Sequence, residues 1–217
     1  MTTTKQLKEL ICTLQQNIAN GGMTKEVVDT AIRQLATLGY EYDYERFPAL
    51  RNTENFTDTS GEAPSNLAEA LLWKLGKWKS YKKFASQYVD NEVKPTKTDV
   101  VFFAFAKHLK DKNNPIYDQH AIRALWAICG KLTSDEKKQC KSLLFDGNSK
   151  WKQAGSGGHA VQCYELFVKH INDLVAVDAG PSKGEIDRLL MPLGQAIKKK
   201  TSSYVEFSQL CGWSENG

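Results

Sequence analysis

The segment with the clearest chemical potential runs from Asn114 to Ala124 and reads NPIYDQHAIRA. A proline-led turn delivers Asp118 to the start of a predicted helix, because the apolar residues after it recur at helical spacing. Such an aspartate can act as an N-cap alone, its carboxylate accepting a bond from a backbone N–H of the first turn. Asp118 can also present a negative charge at the N-terminus of the helix, where His120 and Arg123 either brace the aspartate or contact a phosphate. For Arg123, a surface ion pair with a nearby carboxylate is the other interpretation.

A second group of residues has the composition of a nucleic-acid contact, because lysines alternate with aromatic residues in the run KLGKWKSYKK. Lysines neutralise phosphates, and exposed rings stack on bases or insert in a groove. The same spacing is also typical of an amphipathic surface helix that binds nothing, so both interpretations stay open. The candidate residues are Lys74, Lys77, Lys79, Lys82 and Lys83 for phosphates, and Trp73 and Trp78 for bases.

Helices are the elements that must position these residues. Helical periodicity runs through most of the chain and strand patterns are nearly absent, which predicts an all-α, multi-helix globular bundle. Residues 1–40 form a predicted helical pair, 41–64 an irregular connector, and 65–217 the main helical domain. The pair is either a separate partner-binding module or, as we favour, packed onto the main domain.

Four local signals add detail to this organisation. Gly76 is expected to break or bend a helix, and Pro192 to kink another. The run VVFFAFA, within the helix predicted at 100–110, is apolar nearly all round and is expected to be buried. The glycine-rich run GSGGHA, from Gly155 to Ala160, lacks the lysine of a nucleotide loop. We interpret it as a flexible connector rather than a phosphate site.

Composition excludes several classes of protein. A chain of 217 residues with 41% hydrophobic and 25% charged residues is typical of a soluble globular protein. No stretch approaches the roughly 20 apolar residues needed to cross a bilayer, and the start MTTTKQLKEL lacks the apolar centre of a secretory signal. We expect a location in the cytoplasm or a nucleus-like compartment and no membrane partner. The net charge of +4 says little about partners.

Metal and cofactor chemistry has little support in the sequence. The five cysteines are scattered without a C-x-x-C pair, which favours buried free thiols. The four histidines show no i, i+4 pairing and no H-E-x-x-H motif, so we expect no metal site. No pattern of a serine hydrolase or of a dinucleotide-binding fold is present. We therefore predict no cofactor.

The order of these parts resembles the helix-hairpin-helix DNA glycosylases, the superfamily of 8-oxoguanine DNA glycosylase. In that family a proline, a short hydrophobic run and an aspartate open a helix that carries a histidine and an arginine. That order is followed here by Pro115, Asp118, His120 and Arg123. The similarity covers roughly residues 65–130. The chain departs from the family in its hairpin, NEVKPTKTD, which has no glycine to let backbone amides approach a DNA phosphate.

The resemblance implies a base-excision glycosylase, with or without abasic lyase activity, that acts on a damaged or modified base in double-stranded DNA. Asp118 would then stabilise the positive charge that develops on the sugar, or orient the attacking water or amine. Lyase members carry a lysine upstream of the aspartate, whose amine attacks C1′ and forms a Schiff base. Lys97 occupies that place here, and Lys107 is the alternative. The iron–sulfur cluster of some members needs four grouped cysteines, but the C-terminal region has only Cys211.

Two other functions fit the same residues. The fold can serve as a non-catalytic module that binds nucleic acid or a protein, since fold does not imply function. A helical interaction protein unrelated to DNA is the third hypothesis. An active enzyme requires the Asp118 carboxylate to face an open cavity that it shares with an amine, whereas a binding module does not.

Overall fold

The computed structural model describes residues 3–42, 64, 67–90, 92–130, 132–151, 160–177 and 179–213. Within these ranges all regular elements are α-helices, and β contacts are limited to two isolated bridges. The predicted all-α fold is therefore confirmed. The helices are α1 (Thr3–Ala19), α2 (Lys25–Thr37), α3 (Leu67–Lys74), α4 (Trp78–Val89), α5 (Val100–Lys110), α6 (Gln119–Ile128), α7 (Ser134–Leu144), α8 (Ala160–Val175), α9 (Lys183–Lys200) and α10 (Tyr204–Leu210).

Helices α6 and α9 form the centre of the fold and pack closely against each other. Every residue of α6 from Ala121 to Ile128 is buried, so protein surrounds this helix on all sides. Helix α9 buries Leu190 and Leu193 on the face that also carries Gly194. A Cβ atom placed on Gly194 would lie 2.0 Å from the carbonyl oxygen of His120. Glycine is therefore required for the two backbones to come this close.

The N-terminal helices share the core of the main body. Helix α2 packs on α9, and α1 packs on α6. The side-chain amide of Gln15, on α1, donates to the carbonyl oxygen of Ala127 at 2.7 Å and to that of Cys211 at 2.9 Å. The helical pair predicted at 1–40 is thus packed onto the rest of the protein. The connector predicted at 41–64 lies, except at its ends, outside the described residues.

Helices α3, α4 and α5 form a second region, in which α4 packs on both α3 and α5. Gly76 separates α3 from α4 with a φ of 68°, a left-handed conformation that glycine tolerates, so the predicted break is confirmed. The expectation that the VVFFAFA run is buried on nearly all sides is wrong. Phe102 keeps 54% of its surface exposed, whereas Phe103 and Ala104, on the opposite side of α5, are buried.

Polar side chains fix the starts of several helices. Thr133 and Ser182 each form a capping box with a glutamate in the first turn of α7 and α9, respectively. Pro192 does not interrupt α9, which is continuous from Lys183 to Lys200. Among the described helices, none combines the length and the apolar character that a membrane-crossing segment needs.

All five cysteines have free thiols, and all except Cys12 are buried. Burial raises the pKa of the Cys129 thiol to about 12, so it stays protonated at neutral pH and is a poor nucleophile. The prediction of buried free thiols is therefore confirmed for four of the five cysteines.

Candidate functional site

Asp118 is the N-cap of α6, as the sequence predicts. Its carboxylate Oδ1 accepts the backbone N–H of His120 at 2.7 Å and that of Ala121 at 2.8 Å. Oδ2 accepts no hydrogen bond from the described residues, and the side chain is only partly buried. The carboxylate is therefore held in one orientation while its second oxygen remains available.

A second carboxyl group lies beside this turn. Asp187 of α9 has no exposed surface, and its two oxygens accept the N–H of Ile116 at 3.1 and 3.3 Å. Burial raises the pKa of Asp187 to about 8; the bond from Ile116 opposes this increase, and the charge of Asp118 adds to it. Asp187 is therefore mostly protonated at neutral pH. The two carboxyl groups thus do not place two negative charges side by side.

Arg123 is enclosed by protein groups and has no exposed surface. Its Nη1 donates to Nδ1 of His120 at 3.2 Å and to the carbonyl of Gly194 at 3.5 Å. The guanidinium carbon lies 4.2 Å from the centre of the Trp151 ring, and Nε has no partner among the described residues. Neither a phosphate nor a surface carboxylate can reach Arg123 in this conformation. The side chain instead braces the start of α6 against α9.

The groups around Asp118 are mainly basic. Burial lowers the pKa of Arg123 to about 10, and the charge of Asp118 opposes this decrease. Burial also lowers the pKa of His120. The charges of Arg123 and Lys198 lower this pKa further, whereas the charge of Asp118 opposes the decrease. Lys198 Nζ lies 5.7 Å from the centre of the Trp151 ring, and burial lowers its pKa. Asp118 thus acts electrostatically on His120 and Arg123, and Lys198 acts on the same two groups.

Sequence reasoning missed three residues of this site: Trp151, Lys198 and Asp187. Trp151 stacks on Phe145 with ring centres 4.0 Å apart, a contact that no periodic pattern indicates. Lys198 lies at the end of a helix, where a lysine needs no ligand to be explained. Asp187 could have been found. It shares the buried face of α9 with Leu190, where a carboxyl group is uncommon.

The two lysines predicted as amines lie in different surroundings. Lys97 is exposed in the turn before α5 and forms no described hydrogen bond or ion pair. Lys107 is half-buried on α5, where its Nζ donates to the carbonyl of Asp90 at 3.2 Å and lies 5.3 Å from the Phe103 ring centre. Neither amine forms an ion pair with Asp118. The structure therefore shows neither predicted lysine paired with the carboxylate, and the lysine nucleophile stays a prediction.

The lysines predicted to bind nucleic acid differ in how much charge they present. Lys74, Lys77 and Lys79 are exposed, and Lys82 is half-buried. Lys83 Nζ lies 2.5 Å from a carboxylate oxygen of Asp99, a residue with 4% of its side chain exposed. The charge of Lys83 is therefore compensated within the protein, and the other lysines are the freer cations.

The two predicted base-stacking residues also differ. Trp73 is 59% exposed, whereas Trp78 stacks on Tyr81 with ring centres 5.6 Å apart. Most apolar side chains of helix α3 are exposed to solvent. Its buried side carries Glu69, which accepts a hydrogen bond from the Tyr81 hydroxyl. We call the exposed part of α3, α4 and the turn between them the basic surface. Its members are Leu71, Trp73, Lys74, Leu75, Lys77 and Lys79.

Three surface cavities are lined by described residues. The largest of the three, of 410 Å³, has Cys129, Gly130 and His170 in its wall, together with residues of α1. The other two, of 270 and 220 Å³, lie between α1 and α2. Asp118 lines none of these three, so the open cavity expected beside the carboxylate of an active enzyme is not one of them. The glycine-rich run 155–160 lies, apart from its last residue, outside the described residues, so the interpretation as a connector stays a prediction.

In the part of the chain that the structure describes, no three His, Cys, Asp or Glu side chains are grouped as metal ligands. Comparison with protein-family models, with curated proteins and with solved structures found no match to this chain. A functional assignment therefore depends on the residues described above and on their geometry.

Proposed function

We propose that this protein binds double-stranded DNA and acts as a base-excision glycosylase on a damaged or modified base, with Asp118 as its catalytic carboxylate. Cleavage of an N-glycosidic bond develops positive charge on the sugar. A negative charge fixed near C1′ stabilises that transition state, because it needs no rearrangement during the reaction. The observation that best supports this role is the available Oδ2 of Asp118, on a carboxylate held by two backbone N–H groups.

The basic surface supplies the proposed contacts with DNA. Lys74, Lys77 and Lys79 are exposed cations for phosphates, and Trp73 is an exposed ring for stacking on a base. Because the reaction requires access to DNA, we place the protein in the cytoplasm or in a nucleus-like compartment.

Abasic lyase activity is the optional second part of the proposal. An amine nitrogen forms a bond to C1′ as the base departs with the electron pair of the N-glycosidic bond, and ring opening then gives an imine. Lys97 is the preferred amine because it is exposed and without a described partner. Lys107 is the alternative, although its ammonium donates to the Asp90 carbonyl. With water as the nucleophile, the enzyme is a glycosylase alone.

Base release from a panel of duplexes, each with one oxidised, deaminated or alkylated base, tests the glycosylase. We expect the wild type to release one of these classes and Asp118→Asn to release it about 100-fold more slowly. Asparagine keeps the N-cap acceptor but loses the charge, so folding is retained. Asp135→Asn, exposed on the first turn of α7, is the matched control and should keep the wild-type rate. Equal rates for Asp118→Asn and wild type, or no release from any duplex, would contradict the proposal.

Borohydride trapping on the same duplexes tests the amine. Borohydride reduces an imine between enzyme and DNA to a stable covalent link. We expect Lys97→Gln to abolish the link and Lys107→Gln to retain it. The reverse result assigns the amine to Lys107, and base release without any link indicates water as the nucleophile.

A non-catalytic module that binds nucleic acid or a protein is the second candidate function. The outward position of Leu71, Trp73 and Leu75 favours it, because such side chains suit a contact surface whether or not a reaction follows. Retention on duplex DNA at two salt concentrations is the discriminating measurement. Salt-dependent retention without base release supports a nucleic-acid-binding module, and no retention at low salt supports a protein partner.

A further inference from the structure

Helix α9 holds the segment that carries Asp118 on both sides of this residue. Before the cap, Asp187 accepts the N–H of Ile116 at 3.1 and 3.3 Å. After the cap, Gly194 approaches the carbonyl oxygen of His120 so closely that a Cβ would lie 2.0 Å from it. The position of Asp118 therefore depends on α9 as well as on α6.

The bond between Asp187 and Ile116 has no substitute within the turn. Ile116 is 8% exposed and precedes α6, so its N–H has no helical acceptor. A buried N–H without an acceptor is costly, which makes Asp187 the group that fixes the path of this turn. Because Ile116 lies two residues before Asp118 in the chain, the path of the turn also sets where the Asp118 side chain points.

We propose that Asp187 is a positioning residue for Asp118, acting through the turn at Ile116 rather than through contact with DNA. This inference rests on the proposed glycosylase function, because it assigns a second residue to that reaction. Asp187 has no exposed surface, so it cannot touch a substrate in this conformation. Its contribution is to keep Oδ2 of Asp118 directed at the reacting sugar.

Steady-state kinetics of two variants on the released duplex test this role. Asp187→Ala removes the acceptor, and we expect kcat to fall about 10-fold or more while KM stays within about 2-fold, since misplacing a reacting group lowers the rate without changing the DNA contacts. Asp187→Asn keeps an acceptor oxygen, so it should restore kcat to within about 3-fold of the wild type. Glu136→Gln, which retains its place in the capping box of α7, is the control and should leave both parameters unchanged.

Amide hydrogen exchange separates this inference from the proposed function. The N–H groups of His120 and Ala121 report the hold on the Asp118 carboxylate directly. We expect their exchange to accelerate about 10-fold in Asp187→Ala and to stay at the wild-type rate in Asp187→Asn. If the wild type releases no base, the glycosylase proposal fails, and this exchange alone decides the role of Asp187.

Two results would overturn the role of Asp187. One is an Asp187→Ala protein with wild-type kcat and wild-type protection at His120 and Ala121. The other is an Asp187→Asn protein as impaired as Asp187→Ala, because the acceptor would then not be what matters. If Asp187→Ala does not fold, Asp187→Leu takes its place, since leucine fills the space without an acceptor.

Discussion

The α6–α9 interface and helix α3 both bury charged side chains, but only α3 leaves large apolar side chains exposed. At the interface, Asp187 and Arg123 are fully buried and bond to neighbouring protein groups. In α3, Leu71 and Trp73 face outward while Glu69 is buried. The interface is a closed region with a fixed geometry, whereas the outer region presents side chains without a described partner.

We infer from this difference that the two regions have different roles. A reacting group must be held within a fraction of an ångström, which only a tightly packed surrounding achieves. A contact surface needs exposure and tolerates looser packing. We therefore assign the proposed chemistry to the helix that begins at Asp118 and the proposed substrate contact to the basic surface.

The pH dependence of stability is expected to reveal the buried carboxyl group at the interface. The pKa of Asp187 is raised from 3.8 to about 8, so the folded protein binds the extra proton and loses stability as the pH rises from about 4 to about 8. Asp187→Asn does not titrate and should remove the contribution of Asp187 to that loss, about 5 kcal/mol, as measured by urea unfolding across this range. Asp135→Asn should keep the wild-type dependence. The same dependence in Asp187→Asn would show that Asp187 is not protonated in the folded state.

Substituting the glycine at the closest helix contact should also damage the interface. Gly194→Ala places a methyl group 2.0 Å from the His120 carbonyl oxygen, so α6 must move away from α9. We expect a loss of about 3 kcal/mol in the free energy of unfolding. Gly147→Ala is the matched control, because a Cβ there meets no atom within 4 Å. A similar loss in both variants, measured by chemical denaturation, would contradict the close approach.

Stability measurements should distinguish two contributions of Asp118, the hydrogen bonds of the N-cap and the negative charge. Asp118→Ala removes the acceptor for His120 and Ala121 and should cost about 1 kcal/mol of unfolding free energy. Asp118→Asn should stay within about 0.5 kcal/mol of the wild type, because it still accepts those bonds. Denaturant unfolding of the two variants in parallel is the measurement. Equal stability of Asp118→Ala and Asp118→Asn would mean that the cap contributes nothing.

The basic surface should affect DNA binding with little effect on folding. Replacing Lys77 and Lys79 together with glutamine should lower the slope of log affinity against log salt by about two, and change stability by less than about 0.5 kcal/mol. The same change at Lys138 and Lys169, which are exposed on α7 and α8, is the control. An equal decrease in slope for both double variants would show that binding reports net charge rather than this surface.

Local chemistry accounts for the parts of the fold that the sequence predicts well. Asp118 precedes a helix with a clear apolar period, and Gly76 follows one, so the start of α6 and the end of α3 follow from neighbouring residues alone. The exposure of Phe102 could not be predicted, because it depends on which side of α5 the rest of the protein covers.

The surroundings of Asp118 depend on contacts between residues far apart in the chain. Asp187 meets the turn at Ile116, and Trp151 meets Arg123, through the packing of α6 and α9. Helical periodicity places each residue on a face but does not say which helix covers that face. The carboxylate and its neighbours His120 and Arg123 were therefore predictable from sequence, whereas the contacts of Asp187 with Ile116 and of Trp151 with Arg123 were not.

Helix α1 supports the helix that Asp118 begins, although the two are far apart in the chain, because Gln15 of α1 binds the other end of α6. The Gln15 amide links the last turn of α6, through the Ala127 carbonyl, to the residue that ends α10, Cys211. Removing α1 would leave both carbonyl oxygens without this donor and would open the far end of the very helix that Asp118 begins. A shortened fragment that is meant to keep the proposed site therefore has to retain α1.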